Sequence, residues 1–193
     1  MSRICTEQME EIRRAAEMAA DTIVNGGTCY HHPQGHMIPR ETRPERSGHP
    51  QLFVHTSLDA EVGFGGVPLR GAEDAAKMRS GDFLFMGSVT GPPSAVVDRV
   101  IEAKAKGVKL ICMASRAEEE LLVGPGSQRI FDAADVVIHT YVPCEDGILE
   151  IEGVDVRSCP ISGVTNSTVY WALCAAITEC LLERGVEVEV YGE

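Results

Sequence analysis

The stretch Phe83-Leu84-Phe85-Met86-Gly87-Ser88-Val89-Thr90-Gly91-Pro92-Pro93-Ser94 decides how this chain is read. Four consecutive apolar residues with no polar alternation describe a strand buried on both faces, as in a parallel sheet covered by helices. Gly87 and Gly91 let the backbone turn and approach a ligand closely, Ser88 and Thr90 supply hydroxyls, and a helix follows at once. That helix, Ser94–Lys106, carries Val97, Val100, Ile101 and Ala105 on one face and stops at Gly107. Unpaired amides and the positive end of the helix dipole suit such a loop to an anion such as phosphate. The loop lacks the Gly-Lys-Ser/Thr of a nucleotide P-loop and the Gly-x-Gly-x-x-Gly of a dinucleotide site. Ser88 and Thr90 would equally serve as plain helix caps.

Working outward, the same alternation of elements recurs. Upstream, Met9, Ile12, Ala16, Ala19 and Ile23 give an amphipathic helix over Thr6–Val24, ended by Asn25-Gly26-Gly27. Thr28–His31 and Leu52–Thr56 read as strands, separated by an irregular, proline-bearing connection from Met37 to Pro50. Ser57–Arg70 is a glycine-rich loop and Ala72–Met78 a short helix. Downstream, Lys109–Met113 and Asp135–Thr140 are strands flanking a short helix at Arg129–Ala133. Gly147–Val154 adds a small hairpin or edge strand, and Asn166–Arg184 a long helix. The pattern defines an α/β fold: a doubly wound, three-layer α/β/α sandwich around a five-stranded, mainly parallel sheet, in one domain over residues 1–193. The long helix is apolar over much of its circumference, from Val169 and Trp171 to Leu181 and Leu182. It and the N-terminal helix within residues 1–25 are read as packing on a partner subunit, in a homodimer or homotetramer.

Composition removes several classes of function. A formal net charge of −12 repels phosphate backbones, which argues against nucleic-acid binding. It also means that an anionic ligand must be held largely by backbone amides and hydroxyls. No apolar run is long enough to span a bilayer and no secretory signal opens the chain. Seven scattered cysteines without a Cys-x-x-Cys pair fit a reducing, cytoplasmic setting, with no disulfide framework and no structural zinc site.

Ligands of open parallel sheets bind beyond the carboxyl ends of the strands. A second hydroxyl-rich loop feeding a helix, Cys159-Pro160-Ile161-Ser162-Gly163-Val164-Thr165-Asn166-Ser167-Thr168, lies among the connections. His31, His32, His36 and His55 all fall at or beside the ends of the first two strands. Imidazole titrates near neutrality and can give or take a proton, with Glu41 and Glu61 as carboxylate partners. The alternatives are satisfied loop histidines, or ligands of zinc or another divalent metal drawn from His32, His36 and His55. Cys144-Glu145-Asp146 follows a strand and either borders the ligand or forms a surface turn.

From Phe83 to Glu187 the chain resembles the SIS (sugar isomerase) domain, the phosphosugar-binding module of phosphosugar isomerases. The resemblance rests on the Gly87-Ser88-Val89-Thr90-Gly91 turn, on Met113-Ala114-Ser115 closing a strand, and on Ala134-Asp135-Val136-Val137-Ile138. It continues through Leu149-Glu150-Ile151-Glu152-Gly153-Val154-Asp155 and the loop with Pro160, Ser162 and Thr165. Leu149–Asp155 together with Leu181-Leu182-Glu183-Arg184-Gly185 looks like a single-domain subgroup of that family. The resemblance implies an aldose–ketose isomerase or a sugar-phosphate sensor, with no cofactor required. It implies a ligand held at Gly87, Ser88, Thr90, Gly91, Ser115, Ser162 and Thr165. Gly35-His36 resembles the Gly-His of several such isomerases, and Phe53-Val54-His55 a segment of the arabinose-5-phosphate isomerase branch, which makes His36, Glu41 and His55 the candidate catalytic residues. Two departures stand out. Pro92-Pro93 replace an acidic residue common after the hydroxyl turn, and His32-Pro33-Gln34-Gly35-His36 replaces a Gly-Ser-Gly-like first loop.

Overall fold

The computed structural model describes residues 2–33, 38–56, 76–87, 94–115, 130–143 and 145–192. Strands β1 (Cys29–His32), β2 (Val54–His55), β3 (Phe83–Gly87), β4 (Lys109–Ala114) and β5 (Val136–His139) form one sheet in the order β2-β1-β3-β4-β5. Every pairing in it is parallel. The direction of strand addition reverses between β1 and β3, the switch point of a doubly wound sheet, where a crevice opens beyond the carboxyl ends. The sheet therefore has the expected fold class, and β3 is buried throughout.

The period-two alternation of the strands sends side chains to two separate cores. Phe83, Phe85, Ile111, Met113, Val136 and Ile138 belong to the core covered by α2 (Met9–Val24) and α5 (Ser162–Glu183). Leu84, Met86, Leu110, Cys112 and Ala114 belong to the opposite core, with Val96, Val97 and Val100 of α4 (Ser94–Ala105) and Ile130 of the helical turn 130–133. Two shorter helices, α1 (Ser2–Glu7) and α3 (Ile38–Glu41), and an antiparallel ribbon of β6 (Gly147–Leu149) and β7 (Ser158–Pro160) complete the architecture. Among the described residues no helix is long and apolar enough to cross a membrane.

Two differences from the sequence reading have physical causes. The N-terminal helix is broken at Gln8, whose backbone lies at φ −115 and ψ −1. The buried Gln8 amide donates to the Tyr141 hydroxyl, and its oxygen accepts the His139 N–H at 2.8 Å, tying the break to the end of β5. The long helix starts at Ser162 rather than Asn166, because a carboxylate distant in sequence caps it. Of the two readings of Gly147–Val154, the hairpin is the one seen: β6 pairs with β7 and not with the main sheet.

The apolar stripe of α2, assigned from sequence to a partner subunit, is covered by the chain itself. Ala15, Ala16, Ala19 and Ala20 are fully buried in the core shared with Val169, Leu173, Cys174 and Ile177 of α5. Four alanines on one face let the helix backbones approach closely, with no room to spare. Ala16→Leu should force this contact apart and lower stability by about 1–3 kcal/mol. Thermal unfolding would show it as a fall in Tm of roughly 2–10 °C.

Candidate functional site

On the carboxyl side of the sheet a cleft of about 510 Å³ is lined by Glu41, Asp146, Pro160, Ser162, Gly163, Val164, Ser167, Thr168 and Trp171. Its walls come from α3, the root of the ribbon and the first three turns of α5. Glu41 is held in place from two directions. Its Oε2 accepts from Arg46 at 3.0 Å and its Oε1 from the Trp171 indole at 3.3 Å. The Glu41 side chain keeps 28% of its surface exposed, so the carboxylate can still meet a ligand.

Asp146 occupies the N-terminus of α5. Its Oδ1 accepts the amides of Ile161 (3.0 Å) and Ser162 (2.7 Å), and its Oδ2 accepts the Ser162 hydroxyl at 2.6 Å. These are the donors that a helix N-terminus offers to an anion. Local geometry forces the residue there: Asp146 has φ 58, and a Cβ on Gly147 would lie 2.3 Å from the Arg157 carbonyl oxygen. The ribbon can therefore close only with glycine at 147. Thr165 turns its hydroxyl back to the Ser162 carbonyl at 3.1 Å. The two hydroxyls expected to bind ligand, Ser162 and Thr165, are thus both buried and both donate within the protein. Ser115 likewise donates to the Val142 carbonyl, fixing the segment after β5 to the end of β4.

Gly87 ends β3 beside Met113, at the switch-point side of the sheet. Ser88, Thr90, Gly91, His36, Glu61 and Cys144 lie outside the described residues. His32 and His55 fall on opposite faces of the sheet, since β1 pairs His31 with His55. His32 Nδ1 sits 3.3 Å from the Thr56 carbonyl oxygen. Among the described residues no three His, Cys, Asp or Glu side chains are grouped to hold a metal ion.

His55 belongs to a buried aromatic cluster that includes a histidine the sequence reading passed over. The Nδ1 atoms of His31 and His55 lie 3.3 Å apart. As neutral rings they share one proton there, one donating Nδ1–H and the other accepting with its own proton on Nε2. Neither Nε2 has a partner among the described residues. His31 stacks on Phe85 with centroids 5.3 Å apart and lies 4.9 Å from the Tyr170 ring. His49 donates through Nδ1 to the Pro50 carbonyl (2.8 Å), and its Nε2 meets the Tyr170 hydroxyl at 2.8 Å. Contacts run from His55 to His49 and on to Trp171, which reaches the cleft. His49 was hidden because it sits in the irregular Met37–Pro50 connection, where no periodicity points inward.

Burial drives the titration of this cluster. Desolvation, reinforced by the imidazoles of His55, His32 and His49, holds His31 well below the usual histidine range. Desolvation and the nearby His49 bring His55 down to about 4. His49 is also lowered by burial, against the opposing pull of the Pro50 and Thr42 carbonyls.

Comparison with known structures defines the class first. The fold matches that of a phosphoheptose isomerase from Francisella tularensis, with a TM-score of 0.53 over 92% of this chain and 90% of that one, at 14% identity. The protein is thus a doubly wound α/β chain with the sugar-isomerase (SIS) fold. In sequence it is similar along nearly its whole length to UPF0309 proteins. That of Oceanobacillus iheyensis is 23% identical over 210 residues, covering 99% of this chain and 84% of its own. That of Streptomyces griseus is 26% identical over 203 residues, covering 97% and 81%. No protein-family model matches the chain.

Two outcomes are expected from this geometry. Asp146→Ala should destabilise the protein by about 0.5–2 kcal/mol through loss of the cap. It should also open the α5 N-terminus, so that inorganic sulfate raises the Tm of the variant more than that of the parent. The second outcome concerns pH. His55 titrates near 4 when folded against 6.5 as a free side chain, so between those values the unfolded chain binds more protons. This contribution is complete above pH 6.5 and is lost as pH falls toward 4. Urea unfolding should show His55 removing about 2 kcal/mol of stability between roughly pH 7 and pH 5, and His55→Gln should flatten that slope.

Proposed function

We propose that the protein binds a sugar phosphate beyond the carboxyl ends of β1 and β3 and interconverts its aldose and ketose forms. The observation that carries this reading is the switch point between β1 and β3, with Gly87 leading toward α4, in a fold shared with a phosphoheptose isomerase. No basic residue is found among the described lining of the cleft, and the α5 N-terminus is already filled by Asp146. The reading therefore gives the phosphate to the loop from Gly87 to Gly91, with Ser88 and Thr90, and the hydroxylated carbon chain to the cleft. Trp171 offers the flat apolar wall on which a sugar ring packs.

In the reaction a base takes the proton from the carbon beside the carbonyl, forming an enediol. The hydroxyl proton passes to the former carbonyl oxygen, and a proton returns to the neighbouring carbon. Glu41 is assigned the base on its partly exposed carboxylate in the cleft. His36 is assigned the partner acid that opens the ring. His55, behind His49 and Trp171, is assigned the support of that wall, and zinc or another divalent ion at His32 or His36 stays an alternative source of acid catalysis. The six described cysteines form no disulfide with one another, which fits a cytoplasmic setting.

The engagement of Ser162, Thr165 and Asp146 within the protein favours a second reading, a sugar-phosphate sensor that binds without chemistry. Incubation with a panel of aldose and ketose phosphates in deuterated water separates the two. Isomerisation puts solvent deuterium on the carbon beside the carbonyl; a sensor is stabilised by ligand with no exchange. Glu41→Gln should lower kcat by about a hundredfold or more while leaving KM within a few fold. An unchanged kcat would remove Glu41 from the role of base.

A further inference from the structure

Glu41 and Trp171, which meet in the cleft, are joined a second time behind it. Thr42 follows Glu41 at the end of α3, and Tyr170 precedes Trp171 on α5. The buried ring of His49 sits between them. Its Nε2 lies 2.8 Å from the Tyr170 hydroxyl and 3.1 Å from the Thr42 carbonyl oxygen. The ring also meets the Trp171 indole edge-on, with centroids 5.3 Å apart. The His49 backbone is anchored as well: its N–H donates to the Arg46 carbonyl at 3.0 Å, and its carbonyl accepts from Tyr191 at 2.9 Å. Arg46 in turn holds the Glu41 carboxylate. Glu41, Arg46, His49, Tyr170 and Trp171 thus close a ring of contacts between two walls of the cleft.

The partners of His49 assign its protons. Nδ1 stands 2.8 Å from the Pro50 carbonyl oxygen, which can only accept, so Nδ1 carries a hydrogen. A neutral ring then keeps a lone pair on Nε2, and the Tyr170 hydroxyl donates to it. The Thr42 carbonyl oxygen faces the same lone pair with no hydrogen between them. A second proton reverses the preference. Nε2–H then donates toward Thr42, and an imidazolium satisfies both carbonyls. The Tyr170 hydroxyl can no longer donate to the ring and turns to the Cys174 thiol, its other hydrogen-bond partner one turn along α5. The groups facing the ring are Tyr170 and Trp171 of α5, the His55 imidazole of β2, and Thr42, Glu45 and Pro50 of its own segment. Burial holds the ring below its ordinary range against the pull of the carbonyls and Glu45, so it is neutral at neutral pH.

On the reading that the cleft holds the substrate and Glu41 is the base, we infer that His49 is a positioning residue. Its neutral ring, by taking the Tyr170 hydroxyl, sets the Trp171 indole against Glu41, and a proton on Nε2 releases that setting. A base must be held to within about 0.5 Å of its working position by groups that are themselves fixed. Glu41 depends for this on the Trp171 indole at 3.3 Å and on Arg46 at 3.0 Å, and His49 is bonded to the neighbour of the first and to the backbone of the second. The segment that carries Glu41 and the helix that carries its indole donor therefore move as one unit only while Tyr170 donates to His49.

Trp171 is the only tryptophan in the chain, so its indole N–H gives one NMR signal that reports on this junction. In the full protein, nitrogen-15 shifts of His49 should show Nδ1 protonated and Nε2 bare at neutral pH. The indole signal should then move with the same midpoint as the His49 ring, below 6.5. Tyr170→Phe removes the donor that favours the neutral ring, so the His49 midpoint should rise by about half to one pH unit. His49→Gln, whose amide oxygen can still accept from Tyr170, should abolish the step in the indole signal with the far-UV CD spectrum unchanged. In the deuterium-exchange assay His49→Leu should lower kcat about tenfold or more with KM within a few fold, and His49→Gln should restore most of the loss. A protonated Nε2 at neutral pH, an indole signal blind to the His49 step, a midpoint unmoved or lowered in Tyr170→Phe, or an unchanged kcat in His49→Leu would each overturn the inference. The spectra need no substrate, so failure of the isomerase reading, seen as no exchange by the parent protein, is told apart from failure of this one.

Discussion

A five-stranded parallel sheet has no solvent face, so both sides of β3 must be roofed before any loop can be placed. In this chain the two roofs are built differently. One is α4 with the helical turn 130–133, close in sequence to the strands it covers. The other joins α2 to α5 through four buried alanines, and Tyr170 reaches from α5 to the rings of His31 and Phe85. The position of α5 therefore fixes the cleft, because its first three turns form the wall that carries Ser162, Ser167 and Trp171.

That wall also shows how a doubly wound α/β fold accommodates so acidic a chain. Helix N-termini in such folds are natural anion sites, yet here α5 already holds the carboxylate of Asp146. An internal anion leaves the remaining dipole weaker for an external one. Glu41, steadied by Arg46 and the Trp171 indole, adds a hydrogen-bond acceptor to the same wall.

Much of this architecture was legible from residue pattern alone. Continuous apolar runs such as Phe83–Met86 can be satisfied only inside a parallel sheet, and Gly107, at φ 88, ends α4 where a helix stop is expected. What local pattern could not carry were interactions between residues far apart in sequence. Asp146 starts α5 four residues early from a position 16 residues upstream of Ser162. Gln8 interrupts the N-terminal helix because its amide is wanted 131 residues later, at His139. The histidines were noticed for their number near strand ends, but only strand register shows His31 and His55 turned into the core together and His32 turned away from them. His49 carried no sequence signal beyond its neighbours Gly48 and Pro50, and its place follows from the tertiary packing of Tyr170 and Trp171.

The pairing of α2 with α5 also has a consequence for how the chain is made. α5 is synthesised about 140 residues after α2, so one face of the sheet depends on a contact of very long range in sequence. While the nascent chain grows, Phe83, Phe85 and Ile111 gain strand partners before they gain their roof, and a sticky half-sandwich persists until α5 emerges. Such an intermediate is a natural client for chaperones. Any truncation that removes α5 would leave an insoluble remnant rather than a smaller folded protein.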